Sequence, residues 1–257
     1  MTGRAIADPG LLLDVVRTEG ELIARTAEDA RPGLSVPGCP GLTVAETVRH
    51  VGSLHRLVLA WLRLGERPAR WRCHPPQQGN ELAEFLRTGL REMVAELEAH
   101  VADEPCSTWW FLDQTYGFWR RRMAHEATVH RIDVQGAAGV KIDPVHDEIA
   151  IDGIDEVLTL WFGHRLALLG VSGGDSCRVA VRAGDRTWMV GVNDEGTAAW
   201  RASADEAGGA DAVVTGAPTA VYLWLWGRLP FPIREVRTTG DPDAVARIWA
   251  LLRLATR

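Results

Sequence analysis

Residues 118–135, FWRRRMAHEATVHRIDVQ, decide how the first half of the chain is built. They lie between a Trp/Gly-rich loop, CSTWWFLDQTYG (residues 106–117), and the breaker GAAG (residues 136–139), so they read as one helix. At about 100° per residue, Glu126 and His130 sit about 40° apart on it, one turn from each other and able to share a ligand. His125 and His130 are five positions apart and diverge by about 140°. The near-match to the zinc-peptidase signature His-Glu-x-x-His, which carries one residue too many here, therefore does not describe a pair of ligands. Asp133 continues the stripe of Glu126 and His130 and could orient the imidazole. Helix-spaced ion pairs on a solvated face use the same residue types, and the run Arg120, Arg121, Arg122 reads as such a face.

Working outward, three more helices precede this one. Residues 8 to about 27 carry Leu11, Leu12, Val15, Val16, Leu22 and Ile23 at helical spacing and end before the Pro/Gly-rich RPGLSVPGCPG. Thr43 followed by Glu46 has capping-box spacing and starts a second helix running to about Leu64. After GERPARWRCHPPQQGN, the segment Glu81 to Val101 repeats the pattern through Leu82, Phe85, Leu86, Leu90, Val94 and Leu97. Four amphipathic helices imply a bundle.

The second half changes period. A helix over about residues 147–169 is followed by CRVAVRAGDRTWMVGV (residues 177–192), two alternating runs about a turn at Gly184-Asp185, and then by TAAWRAS and DAVVTG. Helices near residues 218–226 and 242–254 flank a short strand at REVRTTG. The expectation is an α+β domain with a small, mostly antiparallel sheet, joined to the bundle near residues 136–144.

Composition narrows the class. The 257 residues are 46% hydrophobic and 24% charged with a net charge of −6, which fits a globular protein and disfavours nucleic acid as a partner. No run approaches the roughly 18 apolar residues of a membrane span, and MTGRAIADPG lacks the regions of a signal peptide, so a cytoplasmic protein is expected. Cys39, Cys73, Cys106 and Cys177 show no C-x-x-C spacing and read as small semi-buried residues, neither a disulfide framework nor a thiolate zinc site. Lys141 is the only lysine; the arginine, alanine and glycine bias is that of a GC-rich coding sequence.

A Glu/His pair on one helix is an incomplete metal site, because a catalytic zinc takes three protein ligands. The second helix offers His50 and His55. Val44, Val48, Val51, Val58 and Leu62 form its core stripe with His55 at the centre and His50 at the edge, so periodicity favours burial of His55 without choosing the ligand.

The stretches VPGCPGLTVAETVRHVGSLHR (residues 36–56) and FWRRRMAHEATVHRIDVQ, with TGAPTAVYLWLWGR and TTGDPDAVARIWALL near the C-terminus, together resemble the mycothiol-dependent maleylpyruvate isomerase family. The resemblance implies a DinB-like four-helix bundle over residues 1–140 and a sterol-carrier-like α+β domain over residues 141–257. It places the family's divalent-metal ligands, usually on zinc, at His50, Glu126 and His130; Asp133, from its helix spacing, and His55, from the core stripe of the second helix, are expected behind them. It also implies mycothiol as a thiol cosubstrate, activated as a metal-bound thiolate for attack on a small electrophile, and supports Arg228 as the catalytic-site group for an anionic substrate. An isomerase, a mycothiol S-transferase or thiol-exchange enzyme of detoxification or specialised biosynthesis, and a non-catalytic metal-binding or regulatory protein all fit this resemblance. Leu42 stands where the family usually has tryptophan, a packing position at the helix start.

Overall fold

The computed structural model describes residues 3–77, 80–171, 175–229 and 234–256, and the chain divides into two units, Thr2–Pro144 and Val145–Arg257. In the first unit, α1 (Pro9–Asp29) starts where the Asp8 carboxylate accepts from the backbone N–H groups of Gly10 and Leu11, with Pro9 at the first helical position. Thr43 and Glu46 close the expected reciprocal capping box of α2 (Val44–Leu64), and Gly65, at φ 73°, ends it in the left-handed conformation that favours glycine. Helix α3 spans Asn80–Glu98, ending short of Val101, and α4 spans Tyr116–Ala138. Helix α1 packs on α4 and α3, and α2 packs on α3. Ile23, Ala24, Val44, Val48, Val51, Leu86 and Val134 fill part of the core between them.

Helix α4 departs from the amphipathic pattern. Arg121, Arg122, His125, Thr128, His130, Arg131, Asp133 and Gln135 are all buried. The solvated face read for the arginine run is therefore corrected: Arg121 and Arg122 are interior, and Arg120 is held by the carbonyls of Leu97 and His100. Charged side chains sit inside only when paired, and α4 carries its partners on itself and on α1. Of the aromatic residues in and after the loop ahead of α4, Trp109 is partly buried and Phe111 is exposed. Trp110, Phe118 and Trp119 are buried, Trp119 donates to the Ser107 carbonyl, and Trp61 meets it edge-on at 5.3 Å.

Helices α2 and α3 approach closely at Gly52. A Cβ there would lie 2.8 Å from Cδ1 and Cε1 of Phe85 and 3.4 Å from the Leu86 Cα, while the Arg56 guanidinium lies 3.6 Å from the centre of the same ring. Gly52→Ala gains up to about 1 kcal/mol of helix propensity but overpacks a restrained ring at about 1–3 kcal/mol. A net loss of about 1 kcal/mol is expected, read as a lower urea midpoint with unchanged slope; an unchanged or higher midpoint would show that the ring moves aside freely.

The second unit opens with α5 (Asp147–Glu156), which runs on through a π-helical stretch, Val157–Arg165, into the single turn α6 (Leu166–Leu168). Strands β1 (Cys177–Ala183), β2 (Arg186–Asn193), β3 (Gly196–Arg201), β4 (Ala212–Gly216) and β5 (Val236–Gly240) form one sheet in the order β3-β2-β1-β4-β5. The pairs β1/β2, β2/β3 and β4/β5 are antiparallel, and β1/β4 is parallel. The hairpin turns at Gly184, φ 59°. Helices α7 (Pro218–Leu225) and α8 (Pro242–Ala255) flank β5 in sequence. Buried Asp155 ties α5 to the sheet, accepting from Trp188 Nε1 at 2.8 Å and from both Nε and Nη2 of Arg201. The result is the expected α+β architecture, following the four-helix unit in the sequence.

Candidate metal centre

Helix spacing puts Glu126 and His130 on one face of α4, and the packing of the first unit brings α2 to meet them. His50 Nε2 lies 2.9 Å from Glu126 Oε1, and His130 Nε2 lies 3.2 Å from the same oxygen. All three donor atoms fall within 4.8 Å of one another. The two imidazole rings are 5.2 Å apart, centre to centre, and inclined at 73°. The His50 side chain is 49% exposed, whereas those of Glu126 and His130 are 13% and 11% exposed, so the cluster opens to solvent on the α2 side.

Other contacts fix the orientation of these groups. The Glu126 carboxylate is shared: Oε1 faces the histidines and Oε2 accepts from Arg122 Nη2 at 3.1 Å. On the far edge of His130, Nδ1 lies 3.1 Å from Asp133 Oδ2, the carboxylate–histidine arrangement that sets tautomer and ring direction in metal sites. Burial alone would raise the Glu126 pKa, but the charge of His130, hydrogen bonds from both histidines and the Arg122 guanidinium hold it well below the usual carboxylate range. Burial likewise works against protonation of His130, yet Glu126 and Asp133 on either side raise its pKa to about 9. This pocket demands positive charge, and a proton on His130 meets that demand when no ion is present.

The donor set suits a divalent metal ion. Two imidazole nitrogens and one carboxylate oxygen are the ligand types of catalytic zinc, with a fourth position left for water or substrate. Iron, nickel and manganese accept the same donors.

Asp133 stands behind His130, as helix spacing suggested. His55 is buried in the bundle, outside the ligand cluster among the described residues, and burial lowers its pKa to about 4 against the pull of Glu126. Arg228 lies in the second unit just after α7, where its Nη1 donates to the Trp226 carbonyl at 2.7 Å. Two neighbours of the cluster were missed from sequence. Arg122 stands four residues before Glu126, a spacing that signals an ion pair. Cys39 lies 94 positions from Asp133, with its Sγ 3.6 Å from Oδ2, and no local pattern could have revealed that.

Comparison with known proteins bears on both units. Residues 13–135 match a family model described as the mycothiol maleylpyruvate isomerase N-terminal domain, and residues 148–247 match one described as the MDMPI C-terminal domain. Two solved structures align along most of their length. One is a mycothiol-dependent maleylpyruvate isomerase, at 13% identity and a TM-score of 0.60, and the other is a histidine-to-alanine mutant under the same description, at 11% and 0.61. Each alignment covers 93% of this chain and 96% of the other. At such identities the structural likeness establishes the fold alone. No curated protein matches the sequence.

Proposed function

Because the chain belongs to the mycothiol-dependent maleylpyruvate isomerase family, we propose that it is a mycothiol-using enzyme whose divalent ion, of the zinc class, is held by His50, Glu126 and His130. The observation that carries this reading is the convergence of one donor atom from α2 and two from α4 within 4.8 Å.

A divalent ion bound there supplies Lewis acidity that lowers the pKa of an incoming thiol from about 8.5, so that it is nucleophilic near neutral pH. The side chains prepare the place. Arg122 engages one Glu126 oxygen and leaves the other toward the histidines, and Asp133 keeps the His130 ring directed with Nε2 toward the same point. Half-exposed His50 borders the open side by which a thiol can enter. Arg228 is assigned in this reading to an anionic group of the electrophile, as a guanidinium suits a carboxylate.

In the isomerase version, the thiolate adds to an electron-poor double bond to give a stabilised carbanion, the adduct rotates about the resulting single bond, and the thiolate leaves to restore the double bond in its other geometry. In the transferase version, the adduct takes a proton and is released. Use of a low-molecular-weight thiol goes with the reducing cytoplasm, and no helix among the described residues is long and apolar enough to cross a membrane.

Elemental analysis of the purified chain, combined with calorimetric titration of mycothiol against glutathione, tests the reading. Bound divalent metal and a preference for mycothiol are expected. Indifference to both thiols would sink it, and a stable mycothiol conjugate as sole product would replace isomerisation by transfer.

A further inference from the structure

The loop ahead of α2 carries a thiol to the far edge of His130. Ser35 and Thr43 bridge its two ends, Val36 N donates to the Leu42 carbonyl, Leu42 N to that of Cys39, and Cys39 N to that of Val36. Pro37 and Pro40 restrict the backbone on either side of the cysteine, and Gly41 adopts φ 97°, which an L side chain rarely does. The result is a tight, internally bonded turn with Cys39 presented toward α4. Its Sγ lies 3.6 Å from Asp133 Oδ2, and that same oxygen lies 3.1 Å from His130 Nδ1.

Cys39, His130 and Asp133 offer three donor atoms within 4.8 Å of one another, separate from the cluster on the Nε2 side. Around a tetrahedral zinc, with Zn–S about 2.3 Å and Zn–O and Zn–N about 2.1 Å, a sulfur and an oxygen ligand stand about 3.6 Å apart and a nitrogen and an oxygen about 3.4 Å. The observed sulfur–oxygen separation of 3.6 Å matches the first, and the nitrogen–oxygen separation of 3.1 Å is shorter than the second, so the ring and the carboxylate would part slightly around an ion. Thiolate, imidazole and carboxylate together form a borderline-soft donor set, which selects zinc-class ions over magnesium or calcium.

We propose that Cys39, Asp133 and the Nδ1 edge of His130 form a second site for a zinc-class divalent ion, adjoining the first and sharing the His130 ring with it. When both sites are filled, the carboxylates of Glu126 and Asp133, the Cys39 thiolate and a His130 ring deprotonated at both nitrogens carry four negative charges, against four on the two ions and one on the Arg122 guanidinium that pairs with Glu126. The thiol proton and the His130 ring protons pass to solvent as the ions bind. A second ion would pin the turn before α2 to α4, so that the segment leading to His50 and the helix carrying Glu126 and His130 share one anchor. The proposal leans on the functional reading above only through the shared His130, and it stands or falls on a different signal.

The test is cobalt(II) titration of the reduced full chain, followed by absorption, since thiolate ligation produces a sulfur-to-cobalt charge-transfer band that histidine and carboxylate ligation do not. Two equivalents per chain and the band are expected for the unaltered protein. His50→Ala should keep the band and lose one equivalent, whereas Cys39→Ser and Cys39→Ala should lose the band and keep the other equivalent. A single equivalent without the band in the unaltered chain overturns the proposal and leaves Cys39 as a hydrogen-bond donor to Asp133. Persistence of the band in Cys39→Ser also overturns it, assigning the thiolate to one of the other free cysteines, Cys73, Cys106 or Cys177. Should the band be present while His50→Ala removes no ion, the second site stands and the functional reading fails.

Discussion

His50→Ala is expected to weaken binding of the ion at the Glu126 oxygen by more than about 100-fold and to abolish mycothiol-dependent turnover, with thermal melting of the metal-free chain unchanged, since a bound ion adds its own stabilisation to the folded state. Loss of a group that merely orients a ligand costs about 10–100-fold in metal affinity; His50 is one of the three proposed donors, so its loss should exceed that range. The fold should not notice. The His50 side chain is 49% exposed and its ring nitrogen meets the Glu126 carboxylate, and surface substitutions of this kind stay within about 0.5 kcal/mol. Glu126 keeps Arg122 and His130 as partners in the variant, so no buried charge is orphaned. Metal content by elemental analysis and turnover with mycothiol, measured on the same preparation, are the readouts. Wild-type metal affinity in His50→Ala would remove α2 from the centre. Metal lost with turnover retained would leave the ion without a part in the reaction.

The elements of this centre differ in how far the sequence announces them. Glu126 and His130 are legible because four positions on a helix is a contact, whatever surrounds it. The start of α2 is legible because Thr43 and Glu46 satisfy each other's backbone groups within one turn. His50 is another matter: five positions separate it from His55, both lie near an apolar stripe, and its ring reaches a carboxylate 76 positions away. Only the resemblance to a family separated the two. The arginines mislead for a related reason. A charged run looks solvated unless its partners are visible, and Arg121 donates to the Gly3 carbonyl 118 positions away while Arg120 donates to the carbonyls of Leu97 and His100. In the second unit, the alternating strands and the Gly184 turn show in the sequence, but the parallel pairing of β1 with β4 does not, since the intervening β2 and β3 say nothing about which strand returns beside the first. The π-helical register of Val157–Arg165 leaves no trace in apolar spacing either; residues 147–169 read as one ordinary helix.

The strongest stability effect is expected at Glu19, on α1. Its carboxylate receives Nε and Nη2 of Arg131 in a forked pair, the second at 3.0 Å, while Nη1 donates to Gln135 Oε1 and to the Asp143 carbonyl. The Arg131 side chain has no exposure and that of Glu19 only 12%. Glu19→Ala therefore leaves a guanidinium in the interior with its counter-charge gone, and removing one partner of a buried pair costs about 3–5 kcal/mol. At about 2–4 °C per kcal/mol, the melting transition of the first unit should fall by about 6–20 °C. The pair itself is worth much less than that, because both charges had to be desolvated to form it. Glu19→Ala combined with Arg131→Met removes the stranded charge and keeps most of the volume, so the double variant should be more stable than Glu19→Ala alone. Equal or greater loss in the double variant would mean that Arg131 contributes through Gln135 and Asp143 independently of Glu19. Arg131 follows His130 directly on α4, so the same fork that offsets its burial also anchors the turn carrying a proposed metal ligand to α1. Glu19→Ala should lower metal affinity along with stability, and the double variant should recover stability without recovering the full affinity.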